Sequence, residues 1–454
     1  MAILIQQSPT TPNMANNTLV YSVSSSQVTQ PQFQYVADLT YSGSNTVLQR
    51  IKQQPNPNAR GVFDFGSIIT NYLESDNTWK AAPFATASAA AKRFNVRFGE
   101  EYGTSVSSSV SLFTGIGTNL GAPAVSASTY VYVIDGLVDP NDKINWNFAS
   151  GSYYTSSIAP TGGGATFTLQ NTLSNAPLSQ SIQDGEYATI SLINGNFNGS
   201  STNAQDIYYF QVNVYNAVGT NIQNFSYNNI VSEGGGPRTS ANDEWGDAGI
   251  YNGQTSGTQL LTIGVGPQNF IDAGDTLNTS WAYYTVTLHP QESAGTEDNG
   301  AYYAKFTFVK QGAKCGYNGV RFAWKNEFGV WDYYTFTLQT DKAFSIERAS
   351  YEQSFVPFGD NTPVTYDKQR RGTTNYYNKP IQTQVANSDW LTQAEADWLK
   401  ELFFSANVFY QSGTEFYPAV ITSANLTEKT NPRTQRNFQY AIEFQVANQI
   451  NPRV

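Results

Sequence analysis

The sequence predicts a mainly β protein, and three observations carry that prediction. Tyr (29) and Phe (27) dominate the aromatics of this 454-residue chain, and aromatic and β-branched side chains suit a pleated, half-buried surface. Stretches in which apolar and polar residues alternate at period two recur along most of the chain. Turn formers separate them: 36 Gly and 19 Pro, with many Asn, Asp and Ser. A chain this long exceeds a single core. The expected organisation is several β-sandwich-like domains in tandem, closed by a C-terminal α+β domain with one helix on a sheet. The boundaries read as an extended N-terminal arm over 1–31, β domains over 32–140 and 141–231, and a Gly-rich linker over 232–257. A third β domain over 258–345 and the α+β domain over 346–454 follow.

Taken in order, residues 1–31 are rich in Ser, Asn, Gln and Thr and read as an arm that packs late, on a neighbour. "FQYVADLTY" is the first clear strand, with Phe33, Tyr35, Ala37, Leu39 and Tyr41 on one face. After the turn "QQPNPNARG", "VFDFGSIITNYL" carries Ile68, Ile69, Tyr72 and Leu73 at the spacing of a short helix. "YVYVID" at 130–135 closes the first domain. The second block offers "ATFTLQ", "EYATISLI" and "IYYFQVNVYN", the last alternating through Tyr209 or Phe210, Val212 and Val214. "LLTIGVGPQNF", "WAYYTVTLHP" and "AYYAKFTFVKQ" make the third. The fourth block begins irregularly and then supplies the best-capped element, "DWLTQAEADWLKELFFS". There Thr392 and Glu395 form a capping box, and Leu391, Ala394, Trp398 and Leu402 make an apolar stripe. Its sheet comes from "FYPAVIT" and "NFQYAIEFQVA", where Phe438, Tyr440, Ile442, Phe444 and Val446 share a face.

Charged residues make up 13% of the chain, about half the usual share, so Asn, Gln, Ser and Thr supply the polar surface. The formal charge of −10 argues against a nucleic-acid partner, which needs a basic face. The one basic cluster, Lys368, Arg370 and Arg371, reads as a solvated loop rather than a phosphate contact. A single Cys excludes an intramolecular disulfide and a Cys-rich zinc site, and Cys315 reads as packing beside Tyr317. No signal peptide is legible in "MAILIQQSPTTPNM", and no run of about 18 apolar residues offers a membrane span. The expectation is a protein made in a cytoplasm.

Chemistry is sparse. The single histidine, His289, precedes a proline at a strand end, and a structural role is the expectation for it. A carboxylate-only mechanism needs two acids about 5–10 Å apart, and no pair stands out. "GIGTNLG" (115–121) lacks the βαβ context of a dinucleotide site. "GVGP" (264–267) is read as a turn between strands, with no helix N-terminus to hold phosphate. The acidic loops are the one place for a cofactor, calcium as structural glue: Asp135, Asp139 and Asp142 in "DGLVDPND", and Asp243, Glu244 and Asp247 in "NDEWGDAG". Neither has the spacing of a known calcium loop, and Asp and Asn favour turns in any case. Catalytic residues, cofactors and metals are therefore expected to be absent.

The densest local signal is "GYNGVRFAWKNEFGVWDYYTF" (316–336), with eight aromatic residues. Phe322 and Trp324 alternate with polar neighbours up to Asn326-Glu327-Phe328-Gly329, which suits a type I turn with a following bulge. Trp331, Tyr334 and Phe336 lie on the returning side. The segment predicts a hairpin whose aromatic face lines the inside of a sandwich, in preference to a sugar platform. Its structural residues are Phe322, Trp324, Gly329, Trp331, Tyr334 and Phe336.

Set in order, "FQYVADLTYSG", "LQRIKQQPNPNARGVFDFGSIITNYL", "LLTIGVGPQNF", "CGYNGVRFAWKNEFGVWDYYTF", "DWLTQAEADWLKELFFSANVFY" and "YAIEFQVAN" resemble a family of structural proteins of tailed bacteriophages, many known only from aquatic viral sequences. The likeness spans most of the chain beyond residue 30, with little of it between 142 and 230. It rests on the succession of motifs more than on any one. The resemblance implies a virion component of the tail, baseplate or neck, assembled in the host cytoplasm with itself and other virion proteins, and it brings no catalytic residues. A symmetric homo-oligomer is the leading expectation. The rival is a receptor- or glycan-binding fibre or head-decoration protein, displaying aromatics such as Trp245 and Tyr251 on loops. A depolymerase would show a fixed-period repeat, and none is legible.

Overall fold

Alternating apolar residues pair into sheets across long sequence separations, and the result is mainly β, with several sheets and few helices. The computed structural model describes residues 3–9, 13–41, 44, 46–87, 89–103, 130–137, 172–193, 207–228, 260–293, 296–297, 304–312, 317, 319–352, 372–423 and 439–447. The chain divides into two compact units, one of Met1–Gln311 with Lys325–Asp332, the other of Gly312–Trp324 with Tyr333–Val454.

In the first unit a three-stranded sheet (Ile3–Gln7, Val20–Ser25, Arg60–Asp64) shares a core with a five-stranded one. The order of the latter is Asn13–Met14, Tyr130–Ile134, Ala91–Glu101, Gln34–Tyr41, Val47–Gln53. Tyr21, Val23, Phe63 and Phe65 meet Tyr35, Ala37, Leu39, Val96 and Phe98 there. Gln34–Tyr41 is flanked by strands on both sides and is also buried on its other face, where Asp38 accepts two hydrogen bonds from Arg50 at 2.6 and 2.7 Å. Helix α1, Gly66–Ile69, runs on as a 3-10 turn to Tyr72 and buries Ile69 and Leu73.

A second pair of sheets in this unit is built from the middle of the chain. Thr189–Ile193, Leu260–Gly264 and Phe84–Thr86 form one. The other runs Ser179–Ile182, Ala304–Lys310, Tyr283–Ser293, Ile207–Tyr215, Asn221–Asn228, with Thr296–Glu297 beside Tyr283–Ser293. Phe210, Val212 and Val214 face one core with Ile190, Leu261, Ile263, Tyr284 and Phe308. Between Leu260–Gly264 and the next strand stands helix α2, Pro267–Asp272, so "GVGP" leads into a helix and is not a turn between strands. Pro at the first helical position presets φ. Asn269 Oδ1 accepts from the backbone N–H of Gly266 (3.1 Å) and of Ala188 (3.0 Å), and the Asn269 amide donates to Trp79 O and Ala81 O. The helix start is thus occupied by the protein's own side chain.

The second unit is the α+β part. Its seven-stranded sheet has the order Trp331–Phe336, Val320–Lys325, Val408–Ser412, Glu415–Ile421, Ala441–Val446, Thr373–Asn387, Thr340–Glu352. Helix α3, Gln393–Phe404, covers it with Ala396, Trp398, Leu399 and Leu402 buried. Ala394, expected in the apolar stripe, is exposed, and Leu391 is buried just before the helix.

Further expectations are corrected. Residues 1–31 are not an arm: Ala15, Leu19, Tyr21 and Val23 are core residues, because Tyr21 and Val23 alternate with serines in a short strand hidden in polar sequence. The stretches expected as separate domains at 141–231 and 258–345 share one six-stranded sheet, since Ile207–Tyr215 pairs with Tyr283–Ser293. The aromatic hairpin is not inside a sandwich of the third domain. Phe322 and Trp324 pair with Tyr410 and Val408, which places its strands in the C-terminal sheet under α3. The irregular start of the fourth block is also replaced by regular structure, two long strands described below. The linker at 232–257, "ATFTLQ" and "GIGTNLG" lie outside the described residues.

Candidate functional site

Among the described residues, His289, Arg321 and Asp332 are each held by hydrogen bonds within the fold. His289 lies against Tyr209 on the adjacent strand, ring centroids 4.3 Å apart and stacked with nearly parallel planes, with its Nε2 3.0 Å from the Thr287 hydroxyl. Such a pair stabilises two strands against each other. Arg321, buried in the second unit, donates to Thr335 Oγ1 at 2.8 Å and lies over the Tyr333 ring. The Asp332 carboxylate accepts from Ser174 Oγ at 2.7 Å and from the Asn326 amide at 3.1 Å. Buried polar groups paired in this way hold backbone segments in place.

Of the six acidic residues proposed for calcium, only Asp135 is described. Its carboxylate is paired with Lys325, both side chains are largely buried, and Lys325 also donates to Ser75 Oγ at 2.9 Å. A lysine in contact with the carboxylate fills the place a cation would take. Asp139, Asp142, Asp243, Glu244 and Asp247 lie outside the described residues, as do Cys315, Trp245, Tyr251, Lys368, Arg370 and Arg371. Among the described residues, no group of three or more His, Cys, Asp or Glu could hold a metal ion. No helix among them is long and apolar enough to cross a membrane.

The aromatic hairpin is held by hydrogen bonds in its turn and by ring packing. Asn326 N donates to Val330 O (2.8 Å), and its Oδ1 accepts from Phe328 N and Val330 N. Gly329 stands at φ 81°, and a Cβ there would sit 2.0 Å from Asp135 O, so only glycine fits. Trp331 donates to Asp76 O at 2.7 Å and packs edge-on to Trp79. Phe322, Trp324 and Phe336 are fully buried and Tyr334 half-buried, with Trp324 and Tyr334 both packed on Trp398 of α3.

The exposed surface tells otherwise. Thr340–Glu352 and Thr373–Asn387 pair antiparallel over their whole length, but only Thr383–Asn387 has a second neighbour, Ala441–Gln445. From Thr373 to Gln382 the two strands therefore run on as a free two-stranded ribbon among the described residues. Cross-strand partners point to the same face. Thr340 opposite Ala386, Phe344 opposite Gln382 and Ile346 opposite Pro380 thus continue the face on which Ala386, Ile442 and Phe444 are buried. Beyond the covered part of the sheet that face is bare: Phe344 is 64% exposed and Ile346 47%. Near the far end, where a bulge interrupts the register after Ala349, Tyr351 and Tyr376 lie ring to ring at 6.1 Å, both exposed, with exposed Tyr377 beside them. This surface was missed in the sequence. The only signal for it was Phe344 and Ile346 two residues apart in an otherwise polar run. Comparison with protein-family models found no match, and comparison with curated proteins found none either.

Proposed function

We propose that this protein is a non-enzymatic structural subunit of a tailed-bacteriophage virion, in the tail, neck or baseplate, and that it assembles with copies of itself into a symmetric oligomer. The observation that carries the reading is the bare ribbon. An isolated two-stranded ribbon is marginal in water at best, and exposed apolar side chains contiguous with a core face mark a surface made to be covered. The cover is a second copy of this chain. The ribbon holds three acids (Asp341, Glu347, Glu352) against three bases (Lys342, Arg348, Lys379), whereas the chain as a whole carries −10. Two such ribbons meet without net repulsion, which two average faces of this acidic protein do not. The virion assignment is supported by the succession of motifs in the sequence. The non-enzymatic assignment is supported by the structural use of His289, Asp135, Arg321 and Asp332.

The test is the molar mass of the purified protein by light scattering behind a sizing column, against a subunit of 49.9 kDa. A hexamer or dodecamer is the expected result for a ring. A trimer would turn the reading toward a fibre, and a monomer at every concentration would overturn self-assembly. Release of sugars from host envelope polysaccharide by the purified protein would overturn the non-enzymatic part.

A further inference from the structure

The second unit contains a cleft of about 330 Å³, lined by Tyr317, Leu338, Gln339, Asn387, Gln439 and Tyr440 among others. Its floor is fixed by backbone and side-chain hydrogen bonds: Leu338 N donates to Asn387 O at 3.1 Å, Ser388 N to Tyr440 O at 2.8 Å, and Tyr440 N to Ser388 Oγ at 2.8 Å. None of the described lining residues carries a charge. Three of them are carboxamides, and each has its NH2 group engaged. Gln339 Nε2 donates to Asp341 Oδ1 (2.7 Å), Asn387 Nδ2 to Gln339 O (2.8 Å), and Gln439 Nε2 to Ser388 O (3.1 Å). Anchoring the nitrogen orients the amide, and it leaves each with its oxygen to accept and one N–H to donate. The Tyr317 ring is 43% exposed at the rim.

We propose that this cleft is a binding site for a neutral sugar. Three oriented neutral amides suit a ligand rich in hydroxyls, which both donate and accept, and an aromatic ring suits the C–H face of a pyranose. A phosphate or carboxylate ligand would find no cation in the described lining to balance its charge. The volume, at the lower end of small-molecule sites, fits one or two sugar rings. The site lies within one unit of a single chain, so the inference does not rest on self-assembly.

The test is saturation-transfer NMR on the full-length protein with the methyl glycosides of glucose, mannose, galactose and N-acetylglucosamine. Each is offered at about 10 mM, because a shallow cleft on a monosaccharide gives millimolar-range affinity. Transfer to the ring protons of at least one sugar is expected, with at least a tenfold loss of affinity in Tyr317→Ala and in Gln439→Ala. Both side chains are exposed, so unfolding midpoints of the variants should match the parent and separate a lost site from a lost fold. Absence of transfer from all four sugars overturns the proposal, and so does transfer that persists unchanged in both variants.

Discussion

At the scale of single residues, burial without a partner makes the sharpest predictions. The Tyr21 ring is fully buried between Phe65 and Phe98, and its hydroxyl has no hydrogen-bond partner among the described residues. Burial pushes its pKa well above the ordinary 10.0. Burial does the same for Tyr132, and for Tyr334, where the carboxylates of Glu395 and Asp389 add to it. A folded-state pKa above the unfolded value means that stability is intact below pH 10 and falls as the pH rises beyond it, as the unfolded chain loses protons that the folded one keeps. Urea midpoints should therefore hold level from pH 7 to 9 and drop above 10. Tyr21→Phe should shallow that drop by about one proton and, by removing an unsatisfied hydroxyl, raise stability at pH 7 by about 1–3 kcal/mol. Trp324→Ala should do the reverse. The ring is fully buried against Trp398, and its loss should cost about 3–5 kcal/mol in denaturant titration.

At the scale of elements, α3 shows what is legible in a sequence and why. Thr392 Oγ1 accepts from Glu395 N, and Thr392 N donates to Glu395 Oε2 at 2.8 Å. Both partners lie within one turn, so the capping box can be read from four letters. Thr392→Ala should lower stability by about 1 kcal/mol, measured as a shift in urea midpoint without a change in slope. The turn at Asn326–Gly329 is local in the same way. The pairings are not. Phe84–Thr86 meets Leu261–Ile263, and Val320–Lys325 meets Val408–Ser412, partners whose identity depends on everything between them. Domain boundaries drawn from consecutive stretches failed for that reason. The strand at Val20–Ser25 failed for another, its two buried apolar side chains being outvoted by the serines and threonines around them. As for the candidate site, the ribbon's length follows from register between Thr340–Glu352 and Thr373–Asn387, on either side of 353–372, and no local pattern announces it.

At the scale of the whole molecule, the ribbon separates folding from assembly. Phe344 and Ile346 contribute little to the fold while exposed, so Phe344→Asp with Ile346→Asp should move the unfolding midpoint by less than about 0.5 kcal/mol each. The same pair should weaken the proposed self-association by about tenfold to a hundredfold, because covering two side chains that are already about half-buried is worth about half of the ~3–6 kcal/mol for full burial. Light scattering over a dilution series reads this directly. An unfolded variant would show itself in the midpoint and be set aside.

The balance of three acids against three bases on that ribbon also sets how ionic strength acts. The proposed contact has no net charge to screen, while the two copies it would join repel through their remaining acidic surface. Screening shortens that repulsion to about 8 Å at 0.15 M salt, and sulfate additionally strengthens apolar burial. Association should therefore tighten as sodium chloride rises from 0.02 to 0.5 M, and tighten further in sodium sulfate of equal ionic strength. Dissociation by added salt would mean that ion pairs, not Phe344 and Ile346, hold the copies together. The practical consequence of the proposed contact is an assembly that closes more tightly in saline than in dilute water.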